Sequence, residues 1–573
     1  MLRKIGGIRS RNVFLLLKAF SKQPAKAMKK EGKGGEMIDQ SADVMISSNA
    51  VFTGLSDSPI AACIAIKGNR IIAVGSEEEL RCYAGEQTKF YSFQDQLILP
   101  GFHDFHLHIM HGAVALGSAN LFAARSEEEA AEMIREYAEA KPDIPWVIGF
   151  MWDSSYWENQ QLPTRHSLDR ILPDRPVIAY HAEGHHAWVN SKALEIAGIT
   201  RMTQDPEYGV IGREKSGEPD GILFEKAMGP VTRHAFDFSS VEKQEIFSSF
   251  LAHARELGVT AVHDLHALKT IDAYDVYKGF EDRQELTTRI HLWPALDGNL
   301  AHAKRLREKY RSDMLRVSGL KQFIDGVITA GTAYLLDPYA DAPETRGDTS
   351  FPAETIKKWV EEADKEGFSI RFHAIGDGAI RLALDAYEAA QRSNGKRDSR
   401  HSIEHVEVIH PADIQRFKEL GVTASMQPDH LALSERGVYT DRIGAEREKL
   451  VFPICSLQRA GAKLAFGTDF PIDVLNPLLQ IYRAVTRIDS SGKSVWHPHE
   501  QISLADALKA YTAGAAYGAF REHELGTLEA GKLADLVVLE RNLFAVPSSE
   551  IPETKVQLTM VDGKVVFEDR ILA

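Results

Sequence analysis

Between its two ends the chain alternates short apolar runs closed by polar residues or glycine with stretches long enough for helices. Clear runs are Phe368 to His373, His401 to Val408, Gly421 to Met426 and Lys463 to Asp469. Helical candidates with apolar residues at roughly helix-face spacing are Ala353 to Glu366, Ala379 to Arg392 and Leu504 to Tyr511. Strand and helix in regular alternation is the pattern of parallel βα units. With 573 residues, the chain has room for a barrel of about 250 residues or more plus insertions and a satellite domain. The expected fold is therefore α/β: a (β/α)8 TIM barrel with an insertion.

The two ends have a different texture. Ile64 to Ile66, the turn Gly68-Asn69 and Arg70 to Val74 read as a hairpin. Ala534 to Leu539, Gln557 to Val561, Asp562-Gly563 and Lys564 to Phe567 repeat it near the C-terminus. The expectation is a small β-sandwich assembled from 41–96 and 525–573 beside a hydrolase barrel spanning 97–524. The interval from His108 to Lys321 exceeds what three βα units need, on the order of 30 to 40 residues each. An inserted lid is expected within about 112–255, with Trp146, Trp152, Tyr156 and Trp157 as candidate lid aromatics and ordinary core packing as the competing explanation.

Charge is uneven. The first 34 residues hold seven Lys and three Arg against Glu31, so they carry +9 of a total of −14 and leave the body at −23. An acidic body repels phosphate backbones, so nucleic acid is not an expected partner. The apolar run Val13 to Leu17 is too short for a signal-peptide core or a bilayer span. Residues 1–40 are read as a basic, disordered extension, with organellar import as the alternative to a cytoplasmic location. Cys63, Cys82 and Cys455 show no metal or disulfide spacing, which fits a reducing compartment. The expected partner is a small-molecule substrate; no integral membrane segment is foreseen, and a homodimer is allowed.

The strongest motif is Pro100-Gly101-Phe102-His103-Asp104-Phe105-His106-Leu107-His108 after the apolar run Leu97 to Leu99. Side chains alternate along a strand, so Asp104, His106 and His108 are expected on one face. Two imidazoles at a strand end can chelate a divalent metal such as zinc, with Asp104 able to orient a ligand. A merely hydrogen-bonded histidine pair is the plain alternative. Company weighs against it: His373, His405 and Asp469 close other strand-like runs, and barrel enzymes draw catalytic groups from the ends of different strands.

An HxH pair, a later Lys, two separate His and a terminal Asp, in that order, resemble the amidohydrolase superfamily, and more closely its YtcJ-like branch, which includes N-substituted formamide deformylase. The resemblance also rests on Glu183-Gly184-His185-His186-Ala187-Trp188-Val189-Asn190, Lys321-Gln322-Phe323-Ile324-Asp325-Gly326, Gly467-Thr468-Asp469-Phe470-Pro471 and the stretch Leu525 to Leu536, and it covers roughly 44–569. It implies that His106 and His108 bind one metal, His373 and His405 another, and that Asp469 stands beside the activated water as ligand and general base. Lys321 falls where the family can carry a carboxylated lysine bridging two ions; an ordinary ion pair with Asp325 is the alternative. His185 falls on the substrate side, with His186 and His181 as alternatives. Glu183, Phe105 and Phe470 depart from the family pattern, which puts pocket shape in doubt. Gly319 is expected to leave room beneath the metals. The implied function is metal-dependent hydrolysis of a non-peptide amide C–N bond in an N-acyl or N-formyl amine. The alternatives are a cyclic amide, ester or amidine hydrolase and a catalytically silent scaffold.

Overall fold

The computed structural model describes residues 41–266, 271 and 273–569. The segment 1–40, with the expectations placed on it, and the last four residues lie outside the described residues.

The two ends meet in one hydrogen-bonded sheet of eight strands. Along it run Lys564–Glu568, Val556–Val561, Leu536–Leu539, Leu97–Pro100, Val44–Val51, Ile60–Lys67 and Arg70–Gly75, while Lys89–Ser92 pairs with Val44–Val51 off this path. The period-two pattern of the strands explains its double-sided packing. Ile98, Leu536 and Val538 share a core with Ile46 and Ile64. Their alternating neighbours Leu97, Leu99, Val537 and Leu539 enter the main core of the molecule. Asp562 and Gly563 both have positive φ, 52° and 74°, the backbone of a type I′ hairpin turn. A Cβ on Gly563 would lie 2.1 Å from the Gly68 carbonyl, so the two hairpin tips touch, and Asn69 Nδ2 donates to Asp562 Oδ1 at 3.0 Å.

Eight parallel strands follow: β1 (Phe102–Leu107), β2 (Val259–Leu265), β3 (Arg289–Trp293), β4 (Leu320–Phe323), β5 (Ile370–Ala374), β6 (Ser402–His405), β7 (Thr423–Met426) and β8 (Lys463–Phe466). They form two ladders, β1-β2-β3 extended by Leu315–Val317, and β4 through β8. Isolated parallel bridges, Ala295 to Lys321 and Leu107 to Phe470, link the ladders on both sides. At the second, Asp469 N donates to His106 O at 2.7 Å and His108 N to Phe470 O at 2.9 Å. The helices Ala353–Lys365 and Asp377–Asn394 flank β5, the second burying Ile380, Ala383, Leu384 and Tyr387 at helix-face spacing.

Ser318-Gly319 separates the strand Leu315–Val317 from β4. A Cβ on Gly319 would lie 2.2 Å from the Trp293 ring and 2.4 Å from the Ser369 carbonyl, so that glycine admits Trp293 and backbone and does not make room for metals. Between β1 and β2 the chain builds a separate six-stranded sheet, parallel in its first three strands and antiparallel in the rest. Trp152, Trp157 and Trp188 form the core of this sheet, which settles the first two in favour of core packing. Among the described residues no helix is long and apolar enough to cross a membrane.

Arg289, at the start of β3, is fully buried and pairs with Asp535 through Nε at 2.7 Å and Nη2 at 3.0 Å, and with Asp562 at 2.9 Å. It fixes the end sheet to the parallel strands. Removing one partner of a buried ion pair leaves the other charge uncompensated, at a cost of about 3–5 kcal/mol. Arg289→Ala is therefore expected to lower the unfolding free energy by roughly that amount in denaturant titration; an unchanged midpoint contradicts the role.

Candidate metal centre

At the end of β1, His106 Nδ1 lies 2.6 Å from Glu404 Oε2, and His108 Nδ1 lies 2.9 Å from the Leu265 carbonyl. Both partners are acceptors, so each ring carries a proton on Nδ1 and turns its Nε2 toward the centre. Both Nε2 atoms sit 3.1 Å from the same oxygen, Asp469 Oδ1, and that buried oxygen has no hydrogen-bond partner. Two lone pairs facing a carboxylate oxygen without a proton between them repel. The arrangement needs positive charge beside that oxygen, as protons on Nε2 or as a bound cation, and the donor set suits a divalent metal.

His405, at the end of β6, completes the group: ligand atoms of His106, His405 and Asp469 all lie within 4.8 Å of one another. Its Nδ1 is buried without a partner. His373 is its neighbour, with ring centroids 4.5 Å apart on the paired strands β5 and β6. However, His373 Nε2 is 3.1 Å from the Gly326 carbonyl, so only its Nδ1 remains for another partner. Burial, reinforced by neighbouring Lys321 and His373 respectively, holds His373 and His405 well below the usual imidazole pKa, leaving the neutral form that binds metals. Burial alone would raise the Asp469 carboxyl, but His106 and then His108 and His405 drive it well below its ordinary value. Asp469 and His405 have left-handed backbones, φ 59° and 73°, a strain of about 1–3 kcal/mol each that is characteristic of functional sites.

Lys321 Nζ is buried without a hydrogen-bond partner, 4.4 Å over the Phe323 ring. Burial pulls its pKa down to about 8, against the opposing pull of Glu404 and Asp469. The ion pair considered for it is not formed, because the Asp325 carboxylate accepts from the backbone N–H groups of Tyr334, Ile375 and Gly376 at 2.9–3.1 Å. Asp104 also differs from expectation. It does not touch a ligand ring and instead accepts from Tyr511 and Thr468 hydroxyls at 2.8 Å, tying β1 to the β8 end and to a π-helical turn at Ala510–Gly514.

The carboxylate that orients His106 is Glu404, which the sequence reading passed over inside His401-Ser402-Ile403-Glu404-His405. Glu404 is held by Arg371, with Nε at 2.6 Å and Nη2 at 3.0 Å, and by the Ser425 hydroxyl. Arg371 also donates to the Phe105 carbonyl at 2.7 Å and to His263 Nδ1 at 2.9 Å. Burial would raise the Glu404 carboxyl, but Arg371 and then His106 hold it down to about 2, so it stays an anion. Adjacent residues of a strand normally face opposite ways; the left-handed turn at His405 lets Glu404 and His405 both serve the centre.

A second buried trio, His103, His263 and His291, also brings ring nitrogens together. Trp293 Nε1 and Arg371 Nη1 both reach His263 Nδ1, at 2.8 and 2.9 Å, and neither can accept. His263 therefore carries its proton on Nε2, which lies 2.9 Å from His103 Nε2 and donates to it. That proton occupies the position a metal would need, so His263 and His103 form a hydrogen-bonded pair with His291 stacked on His263 at 4.6 Å.

A cavity of about 160 Å³ opens onto the centre, lined by His106, His108, His373, His405 and Asp469 together with His181, Glu183 and His185 from the inserted segment. The lining Phe and Tyr residues are Phe150, Tyr180, Phe236, Phe323 and Tyr439, with no tryptophan among them. His185 Nδ1 is 2.9 Å from Glu225 Oε1. Burial opposes its charged form, yet Glu225, then Glu183 and Asp469, push its pKa up to about 9. His186 is stacked on His181 with ring centroids 3.9 Å apart and does not line the cavity. His430, another residue the sequence reading missed, stacks on His405 at 5.4 Å and brings its Nε2 to 3.7 Å from Asp469 Oδ2.

The model of the amidohydrolase family matches residues 94–567. The chain belongs to the amidohydrolase family. Among relatives of this amidohydrolase, the LONG AFTER FAR-RED 3 protein of Arabidopsis thaliana is 34% identical, covering 92% of each chain. YtcJ of Bacillus subtilis is 30% identical over 90% of this chain and 98% of its own. The N-substituted formamide deformylase of Arthrobacter pascens is 28% identical over 93% and 99%. A crystal structure of a metal-dependent hydrolase from Pyrococcus furiosus superimposes with a TM-score of 0.68 at 28% identity, covering 87% of this chain and 99% of that one. Metal-dependent hydrolases of this family thus share the α/β fold described above.

Carboxylate partners of ligating histidines typically contribute 10–100-fold to metal affinity. Glu404→Gln is expected to weaken metal binding in a chelator competition by about that factor while the chain stays folded; unchanged affinity removes Glu404 from the centre.

Proposed function

We propose that this amidohydrolase cleaves a non-peptide amide C–N bond in an N-acyl or N-formyl amine, at a metal centre on the ends of a (β/α)8 barrel formed by β1 to β8. The observation that carries the reading is the convergence of His106 Nε2 and His108 Nε2 on the partnerless Asp469 Oδ1. The likeness to an N-substituted formamide deformylase supports the bond type.

In this reading His106, His108 and Asp469 hold one divalent ion, zinc by donor type, and His373 and His405 hold a second. Lys321, buried and partnerless, would add through Nζ to carbon dioxide with release of a proton, and its carbamate would supply an anionic oxygen ligand. A bound metal supplies Lewis acidity, polarising a carbonyl and lowering the pKa of water toward about 7.

The chain's own groups do the rest. Asp469 takes a proton from the attacking water as the carbonyl carbon becomes tetrahedral. It returns that proton to the leaving nitrogen when the C–N bond breaks, giving a carboxylic acid and an amine. His185, with Nδ1 held by Glu225, presents Nε2–H to the carbonyl oxygen, where negative charge develops. His430 packs against His405 and faces the second Asp469 oxygen. Retention of each of these groups counts against a silent scaffold.

The test is a hydrolysis screen of N-formyl and N-acyl amines with metal-reconstituted protein beside its Asp469→Asn variant. Metal-dependent turnover in the parent and a loss of about 10²–10⁴-fold in kcat in the variant are expected. Absence of turnover with full metal content contradicts the proposal.

A further inference from the structure

The cavity in front of the metal centre has two kinds of lining. A continuous run of rings leads away from His108: His111 at 6.4 Å between centroids, then Phe236 at 5.5 Å, Tyr180 at 5.7 Å and Phe150 at 5.1 Å. The Tyr180 hydroxyl is bonded to Thr232 Oγ1 at 2.6 Å, so its polar end is satisfied and its ring lies in an apolar wall. Ring pairs of this kind favour an aromatic or other flat apolar group.

The same lining also carries carboxylates. Glu183 Oε1 accepts from Thr329 Oγ1 at 2.6 Å. Its other oxygen is 3.9 Å from His181 Nδ1, but that nitrogen already accepts from the Glu183 N–H at 3.2 Å, so it carries no proton toward the carboxylate. Glu407 also lines the cavity and takes a hydrogen bond from Tyr439 at 2.7 Å. Among the described residues that line the cavity there is no Arg or Lys, the side chains whose donors recognise carboxylate or phosphate, and the cationic ring of His185 is already paired with Glu225 at 2.9 Å.

We infer that the cavity selects amides bearing an aromatic or other apolar group without an anionic substituent: the group lies on the Phe150–Tyr180–Phe236 wall, and Glu183 receives an N–H or ammonium and turns carboxylates away. The inference rests on the amide-hydrolase reading and narrows it. Discrimination comes from the repulsive element as much as from the attractive wall. Like charges about 6 Å apart at an effective dielectric near 20 correspond to roughly 100-fold in kcat/KM.

The experiment uses the metal-loaded full chain and a matched pair, N-formyl-2-phenylethylamine and N-formylphenylalanine, which differ only by a carboxylate. The neutral member should be favoured by about 100-fold in kcat/KM, and Glu183→Gln should narrow that ratio by about tenfold. Equal or better hydrolysis of N-formylphenylalanine overturns the selection and leaves amide hydrolysis standing. Hydrolysis of neither overturns the reaction, and selection is then decided by calorimetric binding of the matched ureas, 2-phenylethylurea and N-carbamoylphenylalanine. Preference for the neutral urea supports the cavity's selectivity, and equal or tighter binding of the carboxylated one overturns it.

Discussion

The buried pair of Arg371 and Glu404 is the interaction on which the centre depends. Both side chains are fully excluded from solvent. An isolated charge there would cost several kcal/mol, so each must be saturated with partners. Arg371 meets that demand by spending its donors on Glu404, Ser425, the Phe105 carbonyl and His263. These partners lie on β6, β7, β1 and β2, so one guanidinium from β5 sets the relative position of five strands. Glu404 Oε2, shared with Arg371 Nη2 and the Ser425 hydroxyl, also accepts from His106 Nδ1. The proton of that imidazole is fixed on Nδ1, and Nε2 is aimed at the point where His108 and Asp469 also arrive.

A second constraint operates at the junction of β1 with the end of β8. Asp104 is buried, and burial pushes its pKa up to about 6 in spite of hydrogen bonds from Tyr511, Thr468 and the His106 backbone. Those bonds hold the Gly467-Thr468-Asp469 turn against β1, and the main-chain bond from Asp469 N to His106 O continues the contact. Phe470 is accommodated by Gly112, where a Cβ would lie 2.0 Å from its ring. Packing of the first helix after β1 and the position of Asp469 are thereby coupled, and the cost of overpacking such a contact is typically about 1–3 kcal/mol.

His106, His108, His373, His405 and Asp469 were legible in the sequence because each closes an apolar run, and strand ends converge when strands are parallel. The structure brings His106, His108, His405 and Asp469 close together, while His373 Nε2 turns to a carbonyl. What remained hidden depends on register between strands, which no single run encodes. Glu404 stands directly before a named histidine yet serves a different one, and Arg371 lies two residues before His373. His430 follows the end of β7 in an irregular turn, outside any periodic pattern. Gly319 was assigned to the metals because its neighbour Trp293, distant in sequence, was not foreseen. The meeting of the two ends was visible from their hairpin turns, whereas their union in one hydrogen-bonded sheet was not.

Metal-edge X-ray absorption on the purified, metal-loaded protein, compared with its His106→Ala variant, tests the central claim most directly. The account predicts a first shell of imidazole nitrogens and carboxylate oxygen at about 2.0–2.2 Å, with loss of imidazole scattering and of bound metal in the variant. A parent protein that takes up no stoichiometric divalent ion, or a spectrum unchanged by removal of His106, would contradict it.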